Sequence, residues 1–375
     1  MRNSLGLLLR RGMVGAFSLA SLWAPGGPAV AVVAVPVPPD TTVAPPAEAK
    51  SLTFTQRYRA LAHGGIVRAA NSSITCRTPV APTAVSCPAA RAGLAVANDG
   101  FDMFYTDIDK DPNTYNSSSA EVPLPPGARV SYARLYWGGN LLVGEQKPPK
   151  DNGRVLIAEP GGRYQEVLAD TLTGHRVAHG ADAFQASADV TRLVRSSGAG
   201  AYTVAQVNVA MGHSAAGAWG GWTLMVAYEK ESEPLRHLAI WDGFGPVGPD
   251  DDQVVRVDDL PFPEGATGRA GLVAYNGDRG RTGDSLTVSD GWGEAVPLGN
   301  SANPRDDVLN STIGESDGTA SPRTPSYPNT LGYDSDVLDL REGLRRGGDR
   351  LDFRLESRRD AAWAGALFVA VDAKR

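Results

Sequence analysis

Four residues with side-chain oxygen donors alternate along one short acidic stretch of this 375-residue chain: Asp107, Asp109, Asp111 and Asn113. Oxygens in this rhythm can wrap a calcium ion, because Ca²⁺ takes six to eight oxygen ligands in flexible geometry. A regular EF-hand is excluded, since Pro112 stands where that loop needs glycine and Ser118 where it needs a bidentate acid. The stretch predicts either a calcium site or a solvated turn whose acids cap their own main chain.

A second stretch, Gly277 to Asp284, combines glycines with two acids and two arginines. It lacks the Gly-Lys-Ser/Thr ending of a phosphate-binding loop and does not open a helix. Two interpretations stay open. Asp278, Arg279 and Asp284 could form a ligand-binding loop, or Arg279 could pair with either acid and staple the loop.

Other catalytic or metal-binding arrangements are incomplete. Ser214 narrowly misses a Gly-x-Ser-x-Gly elbow, so a loop role is favoured. His175 and His179 have the spacing of a helical zinc pair, but glycines flank them and no Glu lies between them. Carboxylate pairs for glycoside hydrolysis cannot be chosen without distances. The remaining acidic group is predicted to cap a short helix: Asp334, Asp336 and Asp339.

The amino terminus predicts export. Residues 1–34 have arginines followed by an apolar core and small-residue cleavage sites, as in a secretory signal peptide, and residues 35–50 form a Pro-rich linker. An uncleaved anchor is the alternative, although Pro25 to Pro28 interrupts the apolar run. In an exported chain, Cys76 and Cys87 are expected to form a disulfide rather than a reactive thiol. No integral membrane span is expected after signal removal.

Composition limits the class of partner. The formal net charge is -6, and no cluster of Lys and Arg is evident, which argues against nucleic acid. The three residues Trp219, Trp222 and Trp363 could form a sugar-stacking platform, but core packing is favoured. The expected partner is a cell-wall or extracellular glycan or protein.

Strand and helix patterns point to an all-β chain. Short apolar runs rich in β-branched and aromatic residues alternate with Gly, Pro, Asn and Asp. The segments predicted as strands are Val130–Trp137, Arg154–Ala158, Tyr202–Val209, Thr223–Tyr228, Leu238–Trp241, Gly271–Tyr275, Ser285–Val288, Leu351–Leu355 and Leu367–Val371. Short helices are predicted only at Ser187–Arg195 and Val337–Arg345.

The second half of the chain repeats the first in outline. Ala218 to Tyr228 and Ala362 to Val371 each place a Trp-x-Gly stretch before an apolar strand, and earlier segments match in the same order. Near-constant spacing between matched parts indicates duplicated structural units. We therefore predict two tandem antiparallel β-sandwiches of jelly-roll type at 95–235 and 236–375. Residues 51–94 would be an amino-terminal arm that holds the disulfide and adds an edge strand.

Several segments together resemble an uncharacterised family of exported actinobacterial surface proteins, in which this module often precedes Ig-like repeats and a wall anchor. The matching stretches are Asp107–Ala120, Ala133–Gly139, Gly221–Tyr228, Pro234–Phe244, Gly277–Leu286 and Asn329–Asp336. No wall anchor is expected for this chain, in contrast to the larger members. The resemblance implies a surface location and carries over no activity.

Two functional hypotheses follow. The absence of a complete catalytic motif favours a secreted, non-enzymatic surface or extracellular protein with a structural, adhesive or ligand-binding role, stabilised by calcium if the acidic loop binds it. The alternative is a secreted hydrolase of glycans or glycopeptides that uses carboxylates at the cleft between the sandwiches.

Overall fold

A computed structural model describes residues 52–291 and 293–374. The predicted signal peptide and linker lie outside these residues. The fold is nearly all β, as predicted, with short helices α1 (Cys87–Arg91) and α2 (Thr191–Ser197). The strands of the described residues, numbered β1 to β20 in chain order, are Leu52–Ser72, Ile74–Pro79, Phe101–Tyr105, Ser117–Val122, Arg129–Asn140, Arg154–Ala158, Gln165–Leu168, Thr171–Ala178, Ala181–Asp189, Gly200–Ala205, Gly220–Glu229, Leu235–Val247, Gln253–Val257, Gly268–Tyr275, Asp284–Ser289, Val296–Pro297, Arg323–Thr324, Tyr333–Asp339, Leu351–Ser357 and Ala362–Asp372. In the described ranges, no helix is both long and apolar enough to cross a membrane.

All nine predicted strands are confirmed, although several bounds differ. The predicted strand from Tyr202 ends early at Ala205, where the next residue, Gln206, has a φ of 63° that leaves the extended region. The predicted helix in the first half exists but begins only at Thr191, because the residues up to Asp189 pair with β5 as the end of β9.

The predicted helix Val337–Arg345 is wrong. Its first residues belong to β18, which pairs along its whole length with β14, and only turns follow. Asp334 and Asp336 therefore cap no helix; they lie inside a strand with their side chains buried.

Sheet topology repeats between the halves. One nine-stranded sheet has the order β18-β14-β20-β12-β1-β11-β5-β9-β8, and two smaller sheets have the orders β17-β4-β10-β6-β7 and β13-β19-β15-β16. The run β1-β11-β5-β9 matches β12-β20-β14-β18, and β4-β10-β6-β7 matches β13-β19-β15-β16, strand for strand in chain order. Four plus four antiparallel strands in this arrangement are typical of a jelly roll.

Strand β1 joins the two halves, and each of its residues pairs on one side only, so it lies as the predicted edge strand first beside β12 and then beside β11. Its residues 52–63 pair with β12 and residues 64–72 pair with β11. Gly64 stands at the change of partner, where a Cβ atom would lie 1.9 Å from the main-chain oxygen of Tyr228. A residue without a side chain is required for that close approach.

The nine-stranded sheet is buried on both faces. Along β11, Trp222, Leu224 and Val226 face the core against the first small sheet. The alternate residues Met225 and Ala227 face a separate core shared with residues of the second half. A third core lies between the second small sheet and its half of the large sheet. The side-chain alternation of strands thus builds four layers around three cores.

The two halves also exchange direct contacts. β17, from the second half, adds to the edge of the first small sheet through Arg323 and Thr324. Gln185 of β9 donates 3.0 Å hydrogen bonds to the carbonyls of Gly243 and Gly365, on the second half. All the described residues fall in one compact unit. The division at residue 235 stays a prediction.

Candidate functional site

The repeated tryptophans are parts of the core. Trp219, Trp222 and Trp363 are each 0% exposed. The rings of Trp219 and Trp363 lie with centroids 5.0 Å apart, in the core between the two halves of the large sheet. At Gly365, a Cβ atom would lie 2.1 Å from the Gln185 side-chain oxygen. The repeated Trp-x-Gly pattern therefore serves sheet packing, and these rings offer no open face to a sugar.

The acidic stretch from Asp107 to Asn113 is a surface loop whose oxygens already accept hydrogen bonds. Asp109 accepts one from the amide of Asp111 at 2.9 Å, and Asp111 accepts one from the amide of Asn113 at 2.9 Å. Asp107 accepts one from the Ser117 hydroxyl at 2.7 Å. These contacts are those of the self-capping turn. Calcium binding at this loop stays a prediction.

Three other sequence-predicted groups have ordinary surroundings. Cys76 and Cys87 form the predicted disulfide, with Cα atoms 5.5 Å apart, next to α1. Ser214 donates to the Gly217 carbonyl at 3.0 Å within a loop. His175 lies in β8 and His179 in the turn after it, so the pair is not on a helix.

The glycine-rich loop connects β14 to β15. The predicted pairing of Arg279 with Asp278 or Asp284 is not what the structure shows. Arg279 donates to the Pro328 carbonyl at 3.0 Å, and it is Arg281 that approaches Asp278, at 3.4 Å. Arg281 also lies 3.6 Å from Asp360. The Asp278 carboxylate accepts a 2.7 Å hydrogen bond from the amide of Asn98. The loop is therefore tied to the first half of the chain by an acid rather than by Arg279.

Buried aspartates surround this loop. Asp278, Asp284, Asp334 and Asp360 are exposed by 4%, 0%, 1% and 3%, and Asp307 by 6%. They come from distant parts of the second half: the loop itself, the long connection between β16 and β18, β18, and the turn between β19 and β20. We call these five residues the buried aspartate cluster.

Burial dominates the acidity of the cluster. Burial raises the pKa of Asp284 to about 7, and the charges of Asp360 and Asp307 add to the rise while Ser357 partly offsets it. Burial also raises the pKa of Asp278 well above its usual range, with the charge of Asp360 acting in the same direction. Unlike these groups, the surface residue Asp109 has a lowered pKa, because hydrogen bonds led by that of Tyr164 outweigh burial.

Asp336, next to the cluster, has its hydrogen bonds satisfied. Its carboxylate accepts bonds from the Gly314 amide at 2.8 Å, the Asn303 amide group at 3.2 Å and the Thr312 hydroxyl at 3.1 Å. Burial raises its pKa to about 6, and the charge of Arg68 opposes the rise. This acid holds the long connection before β18 in place.

A buried polar network also crosses between the halves. Asp242 of β12 lies 2.6 Å from the Arg57 guanidinium of β1 and 3.4 Å from that of Arg134 on β5. Tyr136 donates to the same carboxylate at 3.3 Å. Asp170 also pairs with Arg134, so two carboxylates balance the two arginines, and Asp242 joins three strands.

Two surface depressions lie away from the buried acids, whereas a third, of about 250 Å³, is lined in part by Ser357, the residue paired with Asp284. One of about 690 Å³ is lined by residues around Ser289 and Arg346, and one of about 730 Å³ by residues around His63 and Lys230. Neither is lined by a member of the cluster. In the described part of the chain, no three His, Cys, Asp or Glu side chains already stand together as a metal-binding group.

Comparison with known proteins gives little beyond the fold. No family model and no curated relative matches the chain. Among solved structures, it is similar to the STIV MCP (10% identity, 68% of this chain and 91% of that one, TM-score 0.22). It is also similar to the major capsid protein P2 from bacteriophage PM2 (14% identity, 72% of this chain and 96% of that one, TM-score 0.20). A third similar structure is PNGase F, a glycosylasparaginase from Flavobacterium meningosepticum (12% identity, 72% of this chain and 95% of that one, TM-score 0.18). TM-scores this low transfer no activity.

Sequence reasoning found some members of the cluster and missed the cluster itself. Asp278, Asp284 and Asp334 were recognisable as acids in patterned segments, but with a ligand-loop or helix-cap role. Asp307 and Asp360 carry no local signal. Only the folding of the second half brings the five aspartates together.

Proposed function

We propose that this chain is a secreted, non-enzymatic cell-surface or extracellular protein with a structural, adhesive or ligand-binding role. The observation that supports this most is the burial of the acids with raised pKa. A glycosidase acid must reach the glycosidic oxygen, and its partner must reach the sugar ring or a water. Asp284 is 0% exposed and Asp278 only 4% exposed, so neither can meet a polymer without opening of the fold.

The binding surface is proposed to lie where the two halves differ. Between β1 and β4, residues 73–116 carry the disulfide, α1 and the acidic loop, whereas the equivalent connection between β12 and β13 is only residues 248–252. Phe104 and Ile108 are exposed in this insertion by 39% and 37%. Loops on a rigid scaffold are common places for binding residues, and the disulfide stabilises this one.

The test combines binding and turnover. The purified protein would be mixed with insoluble cell walls and with a panel of extracellular glycans and glycopeptides, with and without calcium. We expect retention without release of reducing ends or free glycans. Phe104→Ser with Ile108→Ser should weaken retention about tenfold, as loss of two apolar anchors would. The matched control is Val254→Ser, which changes an exposed apolar residue of the second half.

The two possible failures have different meanings. If no surface polymer is retained under any condition, the binding role is wrong. If products appear and Asp284→Asn abolishes them, the chain is a hydrolase of glycans or glycopeptides, the second hypothesis.

A further inference from the structure

Asp284 occupies a core-facing position at the start of β15. Burial alternates along this strand, and Leu286 and Val288, on the same face as Asp284, pack in the core of the second half. The side chains that follow Asp284 on this face of the strand are therefore hydrophobic. A carboxylate in this position points into the protein and away from solvent.

Its neighbours across the sheet are polar as well. Asp284 pairs with Ser357 of β19 on one side and forms a parallel bridge with Asp307 on the other. Residues paired across strands present their side chains to the same face. The Ser357 hydroxyl is held by the main chain of Asp360, at 2.9 and 3.0 Å. Asp284 and Asp307 are therefore paired at one end of the sheet, and Asp360 lies in the turn beside Ser357.

The oxygens of these acids lack donors. The nearby Ser357 hydroxyl donates to the Asp360 carbonyl, so among the described residues neither oxygen of Asp284 has a donor of its own, and one oxygen each of Asp307, Asp334 and Asp360 also lacks one. A buried polar atom without a partner costs about 1–3 kcal/mol, and more when it is charged. Protonation relieves this cost for an acid whose pKa is raised by burial, and a bound cation would relieve it for the ionised carboxylates.

The arginines of the loop compensate Asp284 only in part, because the charge of Arg281 acts on it without a close ion pair. Arg281 is 40% exposed, and its ion pairs are with Asp278, Asp360 and Asp99. Arg279 turns to the Pro328 carbonyl. The buried end of β15 thus concentrates negative charge, and the two arginines of the loop bind elsewhere.

We propose that the buried aspartate cluster binds a divalent cation, Ca²⁺ above all, at the neighbouring carboxylates of Asp284 and Asp307. The donors are all oxygens, which suits Ca²⁺ and disfavours zinc or copper. Mg²⁺ usually retains several waters, which a sealed site accommodates poorly. Since no three acids already converge, two carboxylates would act together with neutral oxygens. This site differs from the surface loop at Asp109 and does not depend on the proposed function.

The experiment compares the buried and the surface acids. The purified protein would be stripped with EDTA and titrated with CaCl₂ or MgCl₂ at pH 7.5, with heat of binding and Tm as readouts. Excess Ca²⁺ at about 100 times its Kd should raise Tm by several degrees. Asp284→Asn should weaken Ca²⁺ binding at least tenfold. The control Asp109→Asn with Asp111→Asn should leave it unchanged.

A second variant and two further outcomes test whether Asp284 and Asp307 bind calcium. Asp307→Asn gives an independent reading if Asp284→Asn does not fold. Absence of both heat and Tm shift with Ca²⁺ and Mg²⁺ up to millimolar concentration would overturn the proposal. So would a calcium response that the Asp109 and Asp111 substitutions abolish and the Asp284 substitution leaves intact.

Discussion

Two acidic regions of this molecule have similar composition and opposite surroundings. In the loop from Asp107 to Asn113, carboxylates lie at the surface and bind main-chain amides within their own turn. In the buried aspartate cluster, carboxylates from four distant segments lie inside the fold, and several of their oxygens have no donor among the described residues. Local density of acids therefore does not identify the place where negative charge is concentrated and costly; burial does.

The largest expected effect is at Asp336, beside the cluster. Asp336→Ala would leave the Gly314 amide without its acceptor and the Asn303 side chain with only a 3.5 Å one, whereas the Thr312 hydroxyl keeps Asn303 and Asn310 as acceptors. We expect the free energy of unfolding to fall by about 3 kcal/mol or more, since each buried orphan costs about 1–3 kcal/mol. Chemical denaturation would measure it. A loss as small as that of a surface acid would mean that the cluster is not sealed from water.

An intermediate effect is expected from pH. The pKa of Asp284 is raised to about 7 in the folded chain, against about 3.9 when unfolded. Its stabilising contribution is complete below the unfolded value and is lost as pH rises through about 7. In EDTA, Tm should therefore rise by a few degrees from pH 8 to pH 5.5.

The control for the pH experiment distinguishes the contribution of Asp284 from that of the other carboxyl groups. Asp284→Asn should reduce the rise, to which Asp278 and Asp336 also contribute because burial raises their pKa, and it should give a higher Tm than the native chain at pH 8, because it removes a buried charge. Asp111→Asn should leave the rise intact. A Tm that falls steadily on acidification through this window would contradict the assigned direction.

The smallest effect is expected in the surface loop. Asp111→Ala removes the acceptor of the Asn113 amide and side chain, at 2.9 and 2.7 Å. We expect a loss of about 0.5–1 kcal/mol, as for other local caps. Denaturation with and without calcium also tests the loop as a cation site. A calcium response that disappears in this variant would show that the loop binds the ion.

Two equivalent segments show why only one of the two predicted helices is present. Asp189 to Leu193 and Asp336 to Leu340 have similar patterns, and both predict the start of a short helix. The first leads into α2, while the second includes the end of β18. The local sequence allows either structure, and pairing with β14 decides the second.

The sequence by itself determined the all-β class, the nine predicted strands, the disulfide between Cys76 and Cys87, and the repeated order of segments. These depend on side-chain alternation and on spacing along the chain, which are local. The tertiary structure alone decided that β1 joins the halves, that Trp219 packs on Trp363, and that Asp284, Asp307 and Asp360 become neighbours. Burial and cross-strand pairing join residues far apart in the chain, and no local pattern records either.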